Sequence, residues 1–262
     1  MNQNTPKRKL TYQDLLKLKR WNTPTVYNGW EQITKKDRTK GHFNSETVHD
    51  FMPRMGPMVG YAVTVTCEPS NPEHKKNKSA WRNYREYIAD LPGPKIVIVQ
   101  DLDKPHCVGS FWGEVNANVH KALGCVGTIT DGAIRDFDEM NNAGFKAIAS
   151  RMCIGHAFST PVEWGVSVEI FGCRIQHGDL IHADKHGFLV IPEEDQEEIY
   201  EASCFMDANE CNTVIEAARM SSGKPKNEIL QDINKASKLF QDAAKAKFSR
   251  REESKIRQDS YL

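Results

Sequence analysis

Arg135 and Asp136 are the sharpest chemical signal in the chain. A guanidinium can grip a carboxylate through its two-pronged fork, or fix positive charge where an enolate oxygen develops. An aspartate beside it can anchor a hard divalent cation. Upstream, residues 108–114 (VGSFWGE) form a glycine-rich loop that turns at Gly109 and Gly113. Residues 114–123 (EVNANVHKAL) then have helical spacing, with Val115, Val119 and Leu123 on one face and Gly124 at the C-cap position. A helix N-terminus after a glycine bend offers free backbone N–H groups and the positive end of a dipole, which suits a carboxylate or phosphate.

Each of these residues also has a structural reading. Asp136 with Glu139 three residues later resembles a capping box, and Arg135 could serve in a salt bridge. Glu114 suits a helix N-terminus by charge alone. Gly109 and Gly113 do not complete G-x-G-x-x-G, and no P-loop lysine follows, so a dinucleotide or methyltransferase loop has little support. His106, His156, His177, His182 and His186 form neither H-E-x-x-H nor H-x-H and read as solvated or hydrogen-bonded structural residues. Lys75, Lys76 and Lys78 read as a solvated loop. Trp81, Tyr84 and Ile88 at helical spacing read as core.

The elements that must position these groups follow from pattern. Residues 95–101 (KIVIVQD), bounded by Pro94, and residues 59–67 (VGYAVTVTC) read as buried strands. The apolar run CVGTI is a further strand, followed by Asp131-Gly132 as a turn pair. A short helix (FDEMNNA) ends at Gly144, and residues 145–149 return as a strand. Residues 166–176, 180–184 and 188–191 read as three strands joined at His177-Gly178-Asp179 and Lys185-His186-Gly187. Helices are expected over 11–21, with Thr11 as cap, Asp14 three residues on and Leu15, Leu16 and Leu18 as its stripe. Others are expected from Thr23-Pro24, over 80–89, and from Pro192 to a break at Gly223. Residues 1–9 are expected to be disordered. The organisation is one domain over residues 1–225 and a charged helical C-terminal arm over 226–262, fading into a basic tail.

Composition sets bounds. The formal net charge is +0, which favours neither nucleic acid nor an anionic membrane as partner. No apolar run approaches the roughly 20 residues that span a bilayer, and the N-terminus lacks an apolar signal region. The seven cysteines show no C-x-x-C, which reads as reduced, buried thiols of a cytoplasmic protein.

The runs GSFWGE, GCVGTITDGAIRD, GFKAIAS and HGDLIHADKHGFLVIP, in that order, resemble the family named for the regulator of ribonuclease E activity A. That family includes the 4-hydroxy-4-methyl-2-oxoglutarate aldolases, which are also oxaloacetate decarboxylases, and non-catalytic regulators. Its signature is an acidic residue, twenty positions, then Arg-Asp. Here Glu114 and Arg135 are separated by 135 − 114 − 1 = 20 positions, and Asp136 follows. The resemblance covers roughly residues 20–200. It implies an α/β fold, a swivelling three-layer β/β/α sandwich, here with helical N-terminal and C-terminal extensions, assembled as a homotrimer or homohexamer with its site between subunits. It implies that Arg135 binds a small 2-oxo acid, and that Asp136 holds Mg²⁺ or Mn²⁺. Glu114 would orient a water for proton transfer, and backbone groups around Gly113, Glu114, Val115 and Asn116 would bind the substrate carboxylate. The activity implied is a metal-dependent aldolase or decarboxylase that releases pyruvate; the alternative is a non-catalytic regulatory binding protein.

Overall fold

The computed structural model describes residues 10–259, with side chains through 249. The disordered N-terminal segment and the end of the basic tail expected from the sequence lie outside those residues. The chain packs as two compact units: one takes the chain through Pro24 and Lys36–Glu197, the other Thr25–Lys35 and the chain from Glu198.

The elements run α1 (Tyr12–Leu18), α2 (Thr23–Ile33), β1 (His49–Asp50), β2 (Met58–Cys67), α3 (Ala80–Ala89), β3 (Lys95–Asp101), β4 (Ser110–Trp112), α4 (Glu114–Ala122), β5 (Cys125–Ile134), α5 (Phe137–Asn142) and β6 (Lys146–Met152). They continue with β7 (Val168–Ile170), β8 (Cys173–Ile175), β9 (Leu180–Asp184), β10 (Gly187–Ile191), α6 (Ile199–Glu210), α7 (Glu216–Met220) and α8 (Lys226–Asp259).

The first unit is built on one mixed sheet ordered β1-β6-β5-β3-β2-β9-β10, with β4 added beside β5. β2, β3, β5 and β6 are parallel, while β1, β9 and β10 run antiparallel to their neighbours. All ten residues of β2 are buried, as a strand covered on both faces must be. Alternation sorts the side chains. Val97 and Val99 of β3 join Tyr84 and Ile88 of α3, Ala117 of α4 and Met140 of α5 in one core. Ile96 and Ile98 face the other way, against Val168, Ile170, Cys173 and Ile175 of the β7-β8 hairpin. Helices, sheet and hairpin make the three layers of the swivelling β/β/α arrangement, with helical segments before and after it.

Local details depart from the pattern reading. Asp131-Gly132 is not a turn but lies inside β5, where the register shifts between Thr130 and Ala133 and the strand continues to Ile134. The glycine-rich loop contains a short strand, β4. Residues 166–176 are not one strand but a hairpin turning at Phe171 and Gly172, both at positive φ. The capping box of α1 forms between Thr11 and Asp14, but its buried stripe is Leu15 and Leu18, and Leu16 is exposed. In α4 the buried positions are Ala117 and His120, while Val115 points out, 72% exposed. Val119 and Leu123 of the expected face are only half-buried, with Leu123 packed against the core.

In the second unit α2 meets α6 backbone to backbone. A Cβ on Gly29 would stand 2.5 Å from the Ser203 amide nitrogen. Asn28 Nδ2 donates to the Glu210 carboxylate at 2.9 Å, and Asn209 Nδ2 donates to the Phe240 carbonyl at 3.0 Å. Cys67, Cys107, Cys125 and Cys173 are buried thiols, whereas Cys204 and Cys211, on and just after α6, are exposed rather than buried.

Candidate active site

The site is made where two adjacent strands end. β4 pairs in parallel with β5, Ser110 beside Ala133 and Trp112 beside Ile134. The Ser110 hydroxyl donates towards the Trp112 and Ala133 carbonyls at 2.6 and 2.8 Å, tying the strand ends together. The next residues of each strand must then meet, so Gly113-Glu114 lies against Arg135-Asp136 despite their separation in sequence.

That approach needs glycine. A Cβ on Gly113 would fall 2.6 Å from Asp136 Oδ2 and 3.2 Å from Arg135 Nε. Asp136 takes the left-handed conformation, φ 53° and ψ 45°, which turns its carboxylate back towards α4. Its Oδ2 accepts the Glu114 amide N–H at 3.1 Å. Asp136 stands at the N-cap position of α5 but its side chain makes no capping hydrogen bond, so the capping-box reading of Asp136 and Glu139 fails. Arg135 Nη2 stands 3.5 Å from Asp136 Oδ2, and Nη1 lies 3.5 Å from the Ile154 carbonyl oxygen. The two side chains are 35% and 32% exposed, so the pair is solvent-lined and contributes little to stability.

Gly113, Glu114, Val115, Asn116, Arg135 and Asp136 all line one cleft of about 270 Å³. The first-turn N–H groups of Val115 and Asn116 have no intrahelical acceptor, and the N–H of Glu114 already serves Asp136. Asn116 Nδ2 donates to the Phe111 carbonyl at 2.8 Å, which fixes the helix start. Trp81, Arg85, His156 and Ser159 complete the wall. Sequence pattern missed all four as site residues: Trp81 reads as core, His156 as an unpatterned histidine, and Arg85 and Ser159 carry no motif. His156 Nδ1 lies 2.9 Å from the Ala157 carbonyl.

Beneath the cleft His120 is buried, and burial holds its pKa down at about 4. Its Nδ1 lies 2.7 Å from the Asn116 carbonyl, which can only accept, so Nδ1 carries the proton. The ring meets Trp112 edge-on at 4.7 Å and braces the floor of the site.

A second acidic group lies off the cleft. The Asp101 amide donates to Asp131 Oδ1 at 2.8 Å, the Asp103 amide donates to Asp101 Oδ1 at 2.9 Å, and Lys104 Nζ stands 3.0 Å from Asp131 Oδ2. Burial pushes Asp101 up to about 6 and raises Asp131 as well.

Among the described residues no group of three or more His, Cys, Asp or Glu gathers to hold a metal. The arrangement still fits a hard dication that takes one protein carboxylate and draws its other ligands from substrate and water. Asp136 commits Oδ2 to the Glu114 N–H, its other oxygen has no hydrogen bond among the described residues, and Gly113 leaves the space in front of the carboxylate.

A family model described as "RraA-like: Aldolase/RraA" matches residues 23–190. The chain is 25% identical over 144 residues to "Protein DlpA" of Legionella pneumophila, which is 54% of this chain and 22% of that protein. It is 32% identical over 107 residues to the "Putative 4-hydroxy-4-methyl-2-oxoglutarate aldolase" of Halalkalibacterium halodurans, 40% of this chain and 50% of that protein. It thus spans half or less of the length of these two relatives. The fold is also that of Streptomyces coelicolor RraAS2, an unusual member of the RNase ES inhibitor RraA protein family. There the TM-score is 0.62 at 19% identity, covering 82% of this chain and all of that one. With the family model matched over well more than half its length, the chain belongs to the RraA-like family, which takes in both aldolases and RraA regulators.

Proposed function

We propose that the protein is a divalent-metal-dependent lyase that cleaves a 4-hydroxy-2-oxo acid, or decarboxylates oxaloacetate, to release pyruvate. The observation that carries this reading is the shared cleft of Arg135, Asp136 and the α4 N-terminus, closed up across Gly113.

Asp136 would hold Mg²⁺ or Mn²⁺, which when bound supplies Lewis acidity towards the C1 carboxylate and C2 keto oxygen of the substrate. Arg135 binds the same end of the substrate and sets fixed positive charge where the keto oxygen gains negative charge as the carbon–carbon bond breaks. The first-turn N–H groups of Val115 and Asn116 orient the C1 carboxylate. Glu114 lines the same cleft and moves the protons through a water it holds with Arg135. It takes one from the C4 hydroxyl as the C3–C4 bond breaks and returns one to C3 of the departing pyruvate unit. No lysine is required, since the electrons are held by the keto oxygen rather than by an imine. We further propose a homotrimer or homohexamer in the cytoplasm, with a neighbouring subunit closing the cleft.

A coupled pyruvate assay on oxaloacetate and 4-hydroxy-2-oxo diacids, with Mn²⁺ or with EDTA, tests the reading. Pyruvate release that EDTA and Arg135→Ala both abolish is expected. Absence of pyruvate from every such substrate in the presence of Mg²⁺ or Mn²⁺ would overturn it in favour of a binding protein.

A further inference from the structure

The cleft has polar atoms that the reaction above does not use. Arg85 Nε, Ser159 Oγ and Trp112 Nε1 are each buried and lack a hydrogen-bond partner among the described residues, and all three residues line the cleft. Trp112 is only 1% exposed, and Arg85 and Ser159 are half-buried. Native proteins rarely leave such groups unmatched, so several in one wall point to a partner supplied from outside the chain.

The chemistry of that partner follows from the atoms. The indole and guanidinium nitrogens can only donate, and the hydroxyl can donate, so the partner is an acceptor. Arg85 is charged and pairs with no carboxylate among the described residues; on the same helix it is Arg82 that faces a carboxylate, Glu86, at 3.9 Å. Its guanidinium instead lies 5.2 Å from the centre of the Trp81 ring, which holds the planar fork in place. A guanidinium and a hydroxyl lining the same cleft, neither with a partner among the described residues, suit a carboxylate. This cation comes from α3, whereas Arg135 enters from the end of β5, so the cleft meets its ligand with positive charge from two separate elements. A volume of about 270 Å³ is near the lower limit of ligand pockets, roughly 300 Å³, and restricts the ligand to a small metabolite.

We propose that Arg85 is the specificity-determining residue of the cleft: with Ser159 it binds the distal carboxylate of a dicarboxylic 2-oxo acid. The proposal rests on the reading that Arg135 and the α4 N-terminus take the 2-oxo acid end.

The test is a tryptophan-fluorescence titration of the full chain, with Mn²⁺, using three probes. 2-Oxoglutarate has both groups, 2-oxopentanoate has a methyl in place of the distal carboxylate, and glutarate has two carboxylates and no keto group. Wild type should bind 2-oxoglutarate well ahead of 2-oxopentanoate. Arg85→Gln should cut that preference by about 30-fold, and Arg85→Lys should keep part of it. Ser159→Ala should cut it less, and thermal melts establish that each variant is folded. Equal loss of both 2-oxo acids in Arg85→Gln, or loss of neither, overturns the role of Arg85 and leaves the 2-oxo acid reading standing. Arg85-dependent binding of glutarate with no binding of either 2-oxo acid supports the anion site and overturns the 2-oxo acid reading. Failure of all three probes to bind overturns the proposal.

Discussion

Asp131 and Asp136 belong to one strand and its exit, yet they live in opposite surroundings. Asp131, inside β5, has a side chain only 2% exposed, held by the Asp101 amide and Lys104. Its neighbour Asp101 is equally enclosed, and burial pushes both carboxyls towards the neutral form. Asp136 is a third exposed, in a left-handed turn, with one oxygen on a helix amide. The first pair knits the ends of β3 and β5 together, and its charge is a burden on the fold. The second keeps its charge in the open, where a cation or a substrate can use it. Residue type is the same; solvent access and backbone conformation decide which carboxylate is structural and which is available.

Four substitutions probe this contrast, in order of expected effect. Arg135→Ala should lower kcat/KM for pyruvate release by about 10²–10³-fold, with little change in melting temperature, because its ion pair is a third exposed to water. Gly113→Ala should come next. Its new Cβ must displace the Asp136 carboxylate, costing about 10–100-fold in activity at limiting Mn²⁺, measured as a shift in the metal titration. Lys104→Ala should do the reverse of Arg135→Ala. It strips the buried Asp131 of its cation and should cost about 2 kcal/mol in urea unfolding at neutral pH, while kcat/KM stays at the wild-type value. Loss of activity in that variant would erase the distinction between the two carboxylates.

The smallest effect has a size that depends on pH. Asp101 has a folded pKa of about 6 against 3.8 ordinarily. Its neutral form therefore favours folding fully below pH 3.8, and that contribution is lost as pH rises through 6. Asp101→Asn should be more stable than wild type by about 1–2 kcal/mol at pH 8, with the gain vanishing by pH 4. His120 and His182 act in the other direction. Both are buried, with pKa values of about 4 against 6.5 ordinarily, so their contribution is full above 6.5 and lost as pH falls through 4. Urea melts across pH 4–8 should show a steeper acid limb in Asp101→Asn than in wild type.

The sequence reading located much of this. Val/Ile-rich runs marked β2 and β3 because a sheet covered on both faces demands continuous apolar strands. The Arg135-Asp136 pair and the glycine at 113 were legible as candidates because those residue types suit anion and cation binding beside a close backbone approach. Three things were not visible. The register shift in β5 hides Asp131-Gly132 inside a strand, since a bulge looks like a turn when only local preference is read. The face that α4 buries is set by tertiary packing around Ala117 and His120, which the spacing of its valines does not encode. Trp81, Arg85, His156 and Ser159 reach the cleft from α3 and from a loop after β6, and no spacing within one segment encodes a meeting made by tertiary packing.

The close contact at Gly29 bears on the order in which the chain can be assembled. α2 is synthesised early, but the surface it fits is α6, and nothing larger than hydrogen is tolerated between Gly29 and Ser203. α2 therefore cannot complete this contact until translation has passed Ser203, after the last strand of the sheet has been made. A nascent chain halted before that point lacks the backbone against which Gly29 is fitted.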